Sequence, residues 1–153
     1  ENIDARTNML LGSMLAGQAF ANSPVAAVHA LAYPIGGIFN ISHGLSNALV
    51  LPHVLRFNSI NKEASDNYAL LAPYVFRDIN LNTSSQSICN EFINKLEKLS
   101  VKLNLPSKLR DVDIPKDACL LMAKEAMKQS RLLVNNPRNL EEKDAIDIYN
   151  SAW

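Results

Sequence analysis

The stretch HALAYPIGGIFNISHG, residues 29–44, is the most informative part of this chain because it holds two histidines fourteen positions apart. On one straight helix His29 and His43 would face the same way but lie about 21 Å apart along the axis. Two ligands of one metal ion need ring nitrogens within a few Å of each other, since each metal–nitrogen bond is about 2.0–2.1 Å long. The stretch therefore either turns back on itself or holds no shared metal ion.

The residues between the two histidines favour a turn. Pro34 cannot donate a helical hydrogen bond, Gly36 and Gly37 tolerate left-handed dihedral angles, and Ser42 is a good N-cap. The pattern predicts a helix, a tight turn and a second helix. One histidine would lie near the end of the first helix and the other at the start of the second.

The rest of the chain has the spacing of helices, because apolar residues recur at three- and four-residue steps and no strand-like alternation is sustained. We expect an all-α domain of mostly antiparallel helices, with the two-histidine segment in its most buried layer. A helix capped by Asp4 would run to about Ala21, and a second, apolar on nearly all sides, would begin at Pro24. The further predicted helices are 43–57, kinked or divided at Pro52, and 62–75, 86–103, 115–134 and 141–152.

The composition fits one globular domain, with 153 residues of which 48% are apolar. Fifteen basic side chains balance fifteen acidic ones, so no nucleic-acid partner is indicated. No leader opens the chain and no apolar stretch is long enough to span a membrane. Cys89 and Cys119 have no metal-type or redox-type spacing and are predicted to be buried thiols. We expect a soluble, cytoplasmic protein.

A histidine on an apolar helix is more often a core residue than a ligand, so His29 alone is weak evidence for a metal. Together with His43 the pair favours a metal that binds imidazole, such as zinc, iron, copper or nickel. Two histidines do not complete a site, and residues 5–62 contain no Asp or Glu, so the missing ligands are not local. His53 would lie about 15 Å further along its helix. We interpret it as a cap or a surface hydrogen-bonding residue.

Two other kinds of chemistry are disfavoured. Ser42 beside His43 lacks an orienting carboxylate and a nucleophile elbow, which argues against acyl transfer. No glycine-rich phosphate loop follows a strand, so the chain carries no dinucleotide-binding fold of its own.

Residues 29–37, 42–45 and 47–53 closely resemble the iron-containing alcohol dehydrogenases. The end of the chain, with Asn136-Pro137-Arg138, Asp147-Ile148-Tyr149 and Ala152-Trp153, resembles the C-terminus of that family. The resemblance implies an all-α helical bundle like the C-terminal domain of the dehydroquinate synthase-like fold.

The resemblance also implies an organisation in two domains. Family members have an N-terminal α/β domain that binds NAD or NADP, and a helical C-terminal domain that holds Fe²⁺ or Zn²⁺ through one Asp and three His. Residues 1–153 would be a single helical metal-binding domain, in which His29 and His43 match two of the ligands. The N-terminal domain and the helix that carries the other two ligands would precede residue 1. The first residue, Glu1 rather than Met, agrees with a fragment.

Two further positions are assigned by the resemblance. Tyr33 stands where many members have a second histidine, near the nicotinamide, and the i,i+4 spacing puts it on the face of His29. It is either a proton relay or a packing wall, and a phenol, with an ordinary pKa of about 10, relays protons poorly at neutral pH. Phe20 resembles an aromatic residue of the substrate pocket, with core packing as the alternative.

The implied function is a metal-dependent, NAD(P)-linked alcohol dehydrogenase that interconverts an alcohol and an aldehyde or ketone by hydride transfer. Maleylacetate reductase, glycerol dehydrogenase and hydroxyacid–oxoacid transhydrogenase have similar architecture and remain alternatives, as does a non-catalytic helical interaction module. The implied partners are a small alcohol or aldehyde, the N-terminal domain and further copies in a homo-oligomer. The fragment alone is expected to be inactive.

Overall fold

The computed structural model describes residues 2–153, and Glu1 lies outside the described part of the chain. Residues 2–153 contain helices and no strand, which confirms the predicted all-α fold. None of these helices is both long and apolar enough to cross a membrane. The helices are α1 (Ile3–Asn22), α2 (Ala27–Phe39), α3 (His43–Asn58), α4 (Lys62–Val75), α5 (Ser85–Lys102), a 3-10 helix (Leu109–Val112), α6 (Ala118–Met127), α7 (Ser130–Leu133) and α8 (Glu142–Ala152).

The central element is α2, which contacts α3, α6 and α7, while α8 packs against α3 and α6. One face of α2 is buried and includes Ala30, Leu31 and Ile35. The opposite face carries the half-buried His29 and the exposed Tyr33. The two-histidine segment does contribute to the main apolar core, as predicted, but this face of α2 is only partly covered. Apolar composition alone does not say which sides of a helix its neighbours cover.

A smaller apolar cluster joins α4 to α5. Ala72 on α4 packs with Cys89, Phe92 and Ile93 on α5, and all four are buried. Cys119 belongs to the main apolar cluster, which also includes Leu31, Ile35 and Tyr149. Neither Cys119 nor Cys89 is in a disulfide. Both cysteines are thus buried thiols, as the sequence predicts.

The turn between α2 and α3 occupies residues 40–42. Asn40 ends α2 in the left-handed conformation, at φ 56°, and its N–H donates to the carbonyl of Gly36. Gly36 itself is helical, and no glycine among residues 2–153 has a positive φ. Gly36 is needed here for its small size and not for its backbone freedom, because a Cβ at this position would lie 3.2 Å from the carbonyl oxygen of Ile41. Ser42 precedes α3 without a side-chain capping bond, and the Ser46 hydroxyl donates to the carbonyls of Ile41 and Ser42 instead.

The predicted break at Pro34, division at Pro52 and helix start at Pro24 are wrong, whereas the alternative of a kink at Pro52 stays a prediction. Pro34 lies inside α2 and Pro52 inside α3, and each helix continues past its proline. Both prolines are buried, and tertiary packing of the helix face offsets the lost hydrogen bond. Pro24 precedes α2 by three residues and does not begin it.

The predicted helix 115–134 is divided in the structure. Residues 115–117 form a turn in which the N–H of Ala118 donates to the carbonyl of Pro115, and α6 then ends at Met127. After Gln129 the short α7 turns Leu132 into the main apolar cluster. By contrast, the prediction for 62–75 coincides with α4.

The first helix has no buried residue. Its N-cap is Asn2, whose side chain accepts from the N–H of Ala5 at 3.0 Å, and the predicted cap, Asp4, lies in the first turn instead. A Cβ on Gly12 or Gly17 of this helix would meet nothing within 4 Å. No element of residues 2–153 covers this helix.

The C-terminus is fixed to the core by two hydrogen bonds. The buried Tyr149 hydroxyl donates to the carbonyl of Leu31 at 2.6 Å. The indole N–H of Trp153 donates to the carbonyl of Ile114 at 2.9 Å. The first of these bonds joins α8 to the helix that carries His29.

Candidate metal centre

The two histidines of residues 29–44 lie side by side in the structure. The ring centroids of His29 and His43 are 5.2 Å apart, and the ring planes are inclined by 52°. His43 is the first residue of α3, as predicted. His29 lies in the first turn of α2 and not near its end, since α2 begins at Ala27 and continues to Phe39. The turn at residues 40–42 brings the rings together.

The environment of His29 favours its neutral form. Burial lowers the pKa of His29 below its usual value, and the nearby imidazole of His43 lowers it further. A neutral imidazole has a lone pair to offer, whereas an imidazolium has none. His29 is therefore a competent ligand near neutral pH.

Asn47 is a residue of this site that the sequence pattern alone does not single out. It lies one turn after His43 on α3, and its Nδ2 amide donates to the backbone carbonyl of His43 at 3.0 Å and lies 3.1 Å from Nε2 of the ring. Its Oδ1 is buried and has no hydrogen-bond partner among residues 2–153. The i,i+4 spacing from a candidate ligand is the signal that could have indicated it.

Tyr33 joins the pair, and the other candidate residues do not. The ring centroid of Tyr33 is 6.4 Å from that of His43, and its side chain is 38% exposed. Phe20 lies on α1 and is 55% exposed, so no part of residues 2–153 buries it, and both of its predicted roles stay predictions. His53 lines cavities on the other side of α3, away from the pair.

A cavity of about 550 Å³ opens beside the pair. His29 and Asn47 line it, and Tyr68 and Asn136 lie among its other walls. The lining is mostly apolar, with residues from α2 and α3. Such a cavity, with a few polar groups next to candidate ligands, is typical of a binding site.

The spacing of the rings fits two ligands of one cation. A ring centre lies roughly 3.2 Å from a metal bound at about 2.1 Å, so two imidazoles at ordinary coordination angles have centres roughly 4.5–5.3 Å apart. The observed 5.2 Å falls within this range. No group of three or more His, Cys, Asp or Glu side chains suited to a metal comes together in residues 2–153. Among the described residues, the geometry suits two ligands of one cation, His29 and His43.

Comparisons with known proteins agree with this geometry. Residues 1–153 match the family described as "Fe-containing alcohol dehydrogenase family, C-terminal". The chain is 38% identical to long-chain-alcohol dehydrogenase 1 of Geobacillus thermodenitrificans, over 97% of this chain and 37% of that protein. It is 33% identical to 1,3-propanediol dehydrogenase of Citrobacter freundii, over 99% of this chain and 38% of that protein.

The fold comparison gives the same result. The solved structure of a 1,3-propanediol oxidoreductase superposes on this chain with a TM-score of 0.92 at 32% identity, covering 100% of this chain and 39% of that one. Two more distant relatives have the nicotinamide cofactor in their names, an NADPH-dependent butanol dehydrogenase of Clostridium saccharobutylicum and an NAD-dependent methanol dehydrogenase of Bacillus methanolicus.

The chain spans little more than a third of the length of the curated relatives it matches. The matched part contains the paired histidines, the turn between them and the helices that position both rings. The family match extends over all of the chain. The chain belongs to the Fe-containing alcohol dehydrogenase family and corresponds to its C-terminal, all-helical part.

Proposed function

We propose that residues 1–153 are the metal-binding C-terminal part of an NAD(P)-linked alcohol dehydrogenase that interconverts an alcohol and an aldehyde or ketone. His29 and His43 are two of the protein ligands of a divalent cation, Fe²⁺ or Zn²⁺. The observation that carries the proposal is the 5.2 Å separation of their ring centroids, which suits a shared cation. Family membership supports it independently.

The chain's own side chains hold and orient the reacting groups. His29 contributes a neutral imidazole, because burial and the neighbouring His43 both lower its pKa. Asn47 contacts His43 at two points, since its Nδ2 amide donates to the backbone carbonyl and lies 3.1 Å from Nε2 of the ring, and the second contact limits the motion of the ring. The bound cation supplies Lewis-acid polarisation of the substrate oxygen, and the nicotinamide supplies the hydride chemistry.

Tyr33 lines the approach to the two histidines. Its ring faces His43, and it borders a cavity of about 450 Å³ that also contacts Gly37, Leu121 and Glu125. We propose that it is a wall of the pocket near the nicotinamide, with Phe20 contributing from α1. A packing wall requires only the ring of Tyr33, whereas a proton relay also requires its hydroxyl, so a Tyr33→Phe variant separates the two roles.

The names of the relatives support an alcohol or aldehyde substrate. The matched proteins are named for long-chain alcohols and for 1,3-propanediol, and two others for NADPH or NAD. The reaction common to these names is the dehydrogenation of an alcohol, and two of the names add a nicotinamide cofactor. We extend that reaction class to this protein.

The remaining ligands and the nucleotide site come, in this proposal, from chain that precedes residue 1. The relatives are more than twice as long as this chain, and α1 exposes apolar side chains that include Met9, Leu10 and Met14. An exposed apolar helix of this size is suited to cover by further protein. The same preceding segment would supply an Asp and a third His.

The test uses the intact protein that carries these residues. Turnover of a panel of primary alcohols with NAD⁺ and NADP⁺ is followed by nicotinamide absorbance, before and after chelation and after return of Fe²⁺ or Zn²⁺. We expect turnover that is lost with the metal and recovered on its return, and that is abolished in His43→Ala. Full turnover of His43→Ala would instead favour the alternative in which the helices serve only as an interaction module.

A further inference from the structure

A second cavity lies between α3, α5 and the start of the 3-10 helix, away from the paired histidines. It has a volume of about 380 Å³. His53 lies ten residues after His43 on α3, about 15 Å further along that helix. The residues that line the cavity are His53, Asn94, Glu97, Lys98, Val101, Ser107, Lys108 and Ser151.

The charges around this cavity do not balance. Its single carboxylate, Glu97, is paired with Arg56 from outside the cavity. With Glu97 paired to Arg56, the ammonium groups of Lys98 on α5 and Lys108 before the 3-10 helix have no salt-bridge partner among residues 2–153. The carboxylate of Asp111 accepts from the backbone N–H groups of Ser107 and Lys108 and does not line the cavity.

The uncharged side chains that line the cavity can donate hydrogen bonds into it. The Oδ1 atom of Asn94 accepts from Arg56 at 3.0 Å, which leaves the amide N–H groups free to donate elsewhere. The half-buried His53 makes no hydrogen bond to residues 2–153, and Arg56 and Lys108 act on it as positive charges. The hydroxyl of Ser107 is a further donor on the rim.

We propose that this cavity is a binding site for a phosphate group, either inorganic phosphate or the phosphate of a small ester. Lys98 and Lys108 supply the charge, and His53 and Asn94 supply directed hydrogen bonds. A metal cation is disfavoured because the only carboxylate is already paired. The cavity is larger than one phosphate needs and leaves room for an organic substituent.

The site is independent of the proposed dehydrogenase chemistry. The cavity lies on a different side of α3 from His43, and the residues that line it do not include His29, Tyr33 or His43. The two proposals are therefore tested separately, since a negative result for the metal site does not bear on the phosphate site, and the reverse also holds.

The experiment titrates the full protein with inorganic phosphate and, separately, with methyl phosphate, by isothermal titration calorimetry at low ionic strength. The test variant is Lys98→Ala/Lys108→Ala. The matched control is Lys124→Ala/Lys143→Ala, which removes the same charge from exposed lysines outside the cavity. All four lysines are exposed, so both variants are expected to fold.

We expect saturable binding with a dissociation constant of about 1 mM or tighter, weakened roughly tenfold or more in the test variant and less than about twofold in the control. Tighter binding of methyl phosphate would identify an ester as the source, and tighter binding of inorganic phosphate the free ion. Absence of saturation by either probe, or equal weakening in both variants, would overturn the proposal.

Discussion

Gly36 lies so close to Ile41 that a Cβ on the glycine would be 3.2 Å from the carbonyl oxygen of Ile41. The Ser46 hydroxyl donates to the same carbonyl, so the loop between α2 and α3 is held against the end of α2. The separation of His29 and His43 depends on this contact, because the two rings are on the helices that the loop joins.

Gly36→Ala and its neighbour Gly37→Ala test this contact as a matched pair. Both glycines are in α2, but a Cβ on Gly37 would meet nothing within 4 Å. Alanine at 37 should stabilise by about 0.5–1 kcal/mol through helix propensity. Alanine at 36 should lose that gain and be less stable than Gly37→Ala by about 1 kcal/mol or more, because the loop must move. Urea unfolding measures both, and equal stabilisation by the two changes would contradict the role of the contact.

Tyr149→Phe tests the attachment of α8 to α2. Burial raises the pKa of Tyr149, so its hydroxyl stays protonated and donates to the Leu31 carbonyl. Removing the hydroxyl should lower the free energy of unfolding by about 1–2 kcal/mol. Tyr74→Phe is the control, because Tyr74 is 88% exposed and should change stability by less than about 0.5 kcal/mol. A change in Tyr149→Phe as small as that in the control would contradict the importance of this bond.

His53 should make stability depend on pH. Burial lowers the pKa of His53 below its usual value of 6.5, as do Arg56 and Lys108, against an opposing effect of Glu97. Between the folded and unfolded pKa values the unfolded chain binds more protons, so the free energy of unfolding rises with pH there. Stability should therefore be lost as the pH falls from above 6.5 through the lowered value.

The measurement for His53 is urea unfolding over a range of pH from about 7.5 to about 5. The His53→Gln variant should lose less stability on acidification than the unchanged protein. A remaining loss is expected from His29, whose pKa is also lowered. Parallel curves for the variant and the unchanged protein would contradict the lowered pKa of His53.

Residues 1–153 on their own should self-associate through α1. The helix exposes large apolar side chains and has none buried. Sedimentation velocity should show assemblies whose fraction grows with concentration, and Leu10→Gln/Met14→Gln should reduce them. Leu70→Gln/Tyr74→Gln on α4 is the control, since both side chains are also exposed. A concentration-independent monomer would contradict this prediction.

Much of the fold could be predicted from periodicity. The span 62–75 coincides with α4 because its apolar face is regular and Asn61 caps it, accepting from the N–H of Ala64. The behaviour of Pro34 could not be predicted in this way, since the packing that keeps α2 helical past it comes from distant parts of the chain. Local propensity is a weak guide where tertiary contacts decide.

The candidate site was predictable to a similar extent. The pairing of His29 and His43 followed from their spacing and the need for a turn, although the turn lies at Asn40 and not at the glycines. The contribution of Asn47 depends on the side-chain orientation of a polar residue, which no periodicity encodes. The exposure of α1 likewise depends on what covers it, and the sequence of the helix does not contain that information.

The metal content of the purified protein shows whether His29 and His43 hold a shared cation. The intact protein and its His29→Ala, His43→Ala and His53→Ala variants are purified alike, and iron and zinc are measured per chain by mass spectrometry. We expect about one metal ion per chain in the unchanged protein and in His53→Ala, and at least about a tenfold loss in the other two variants. Metal retained at the unchanged level in both His29→Ala and His43→Ala would contradict this expectation.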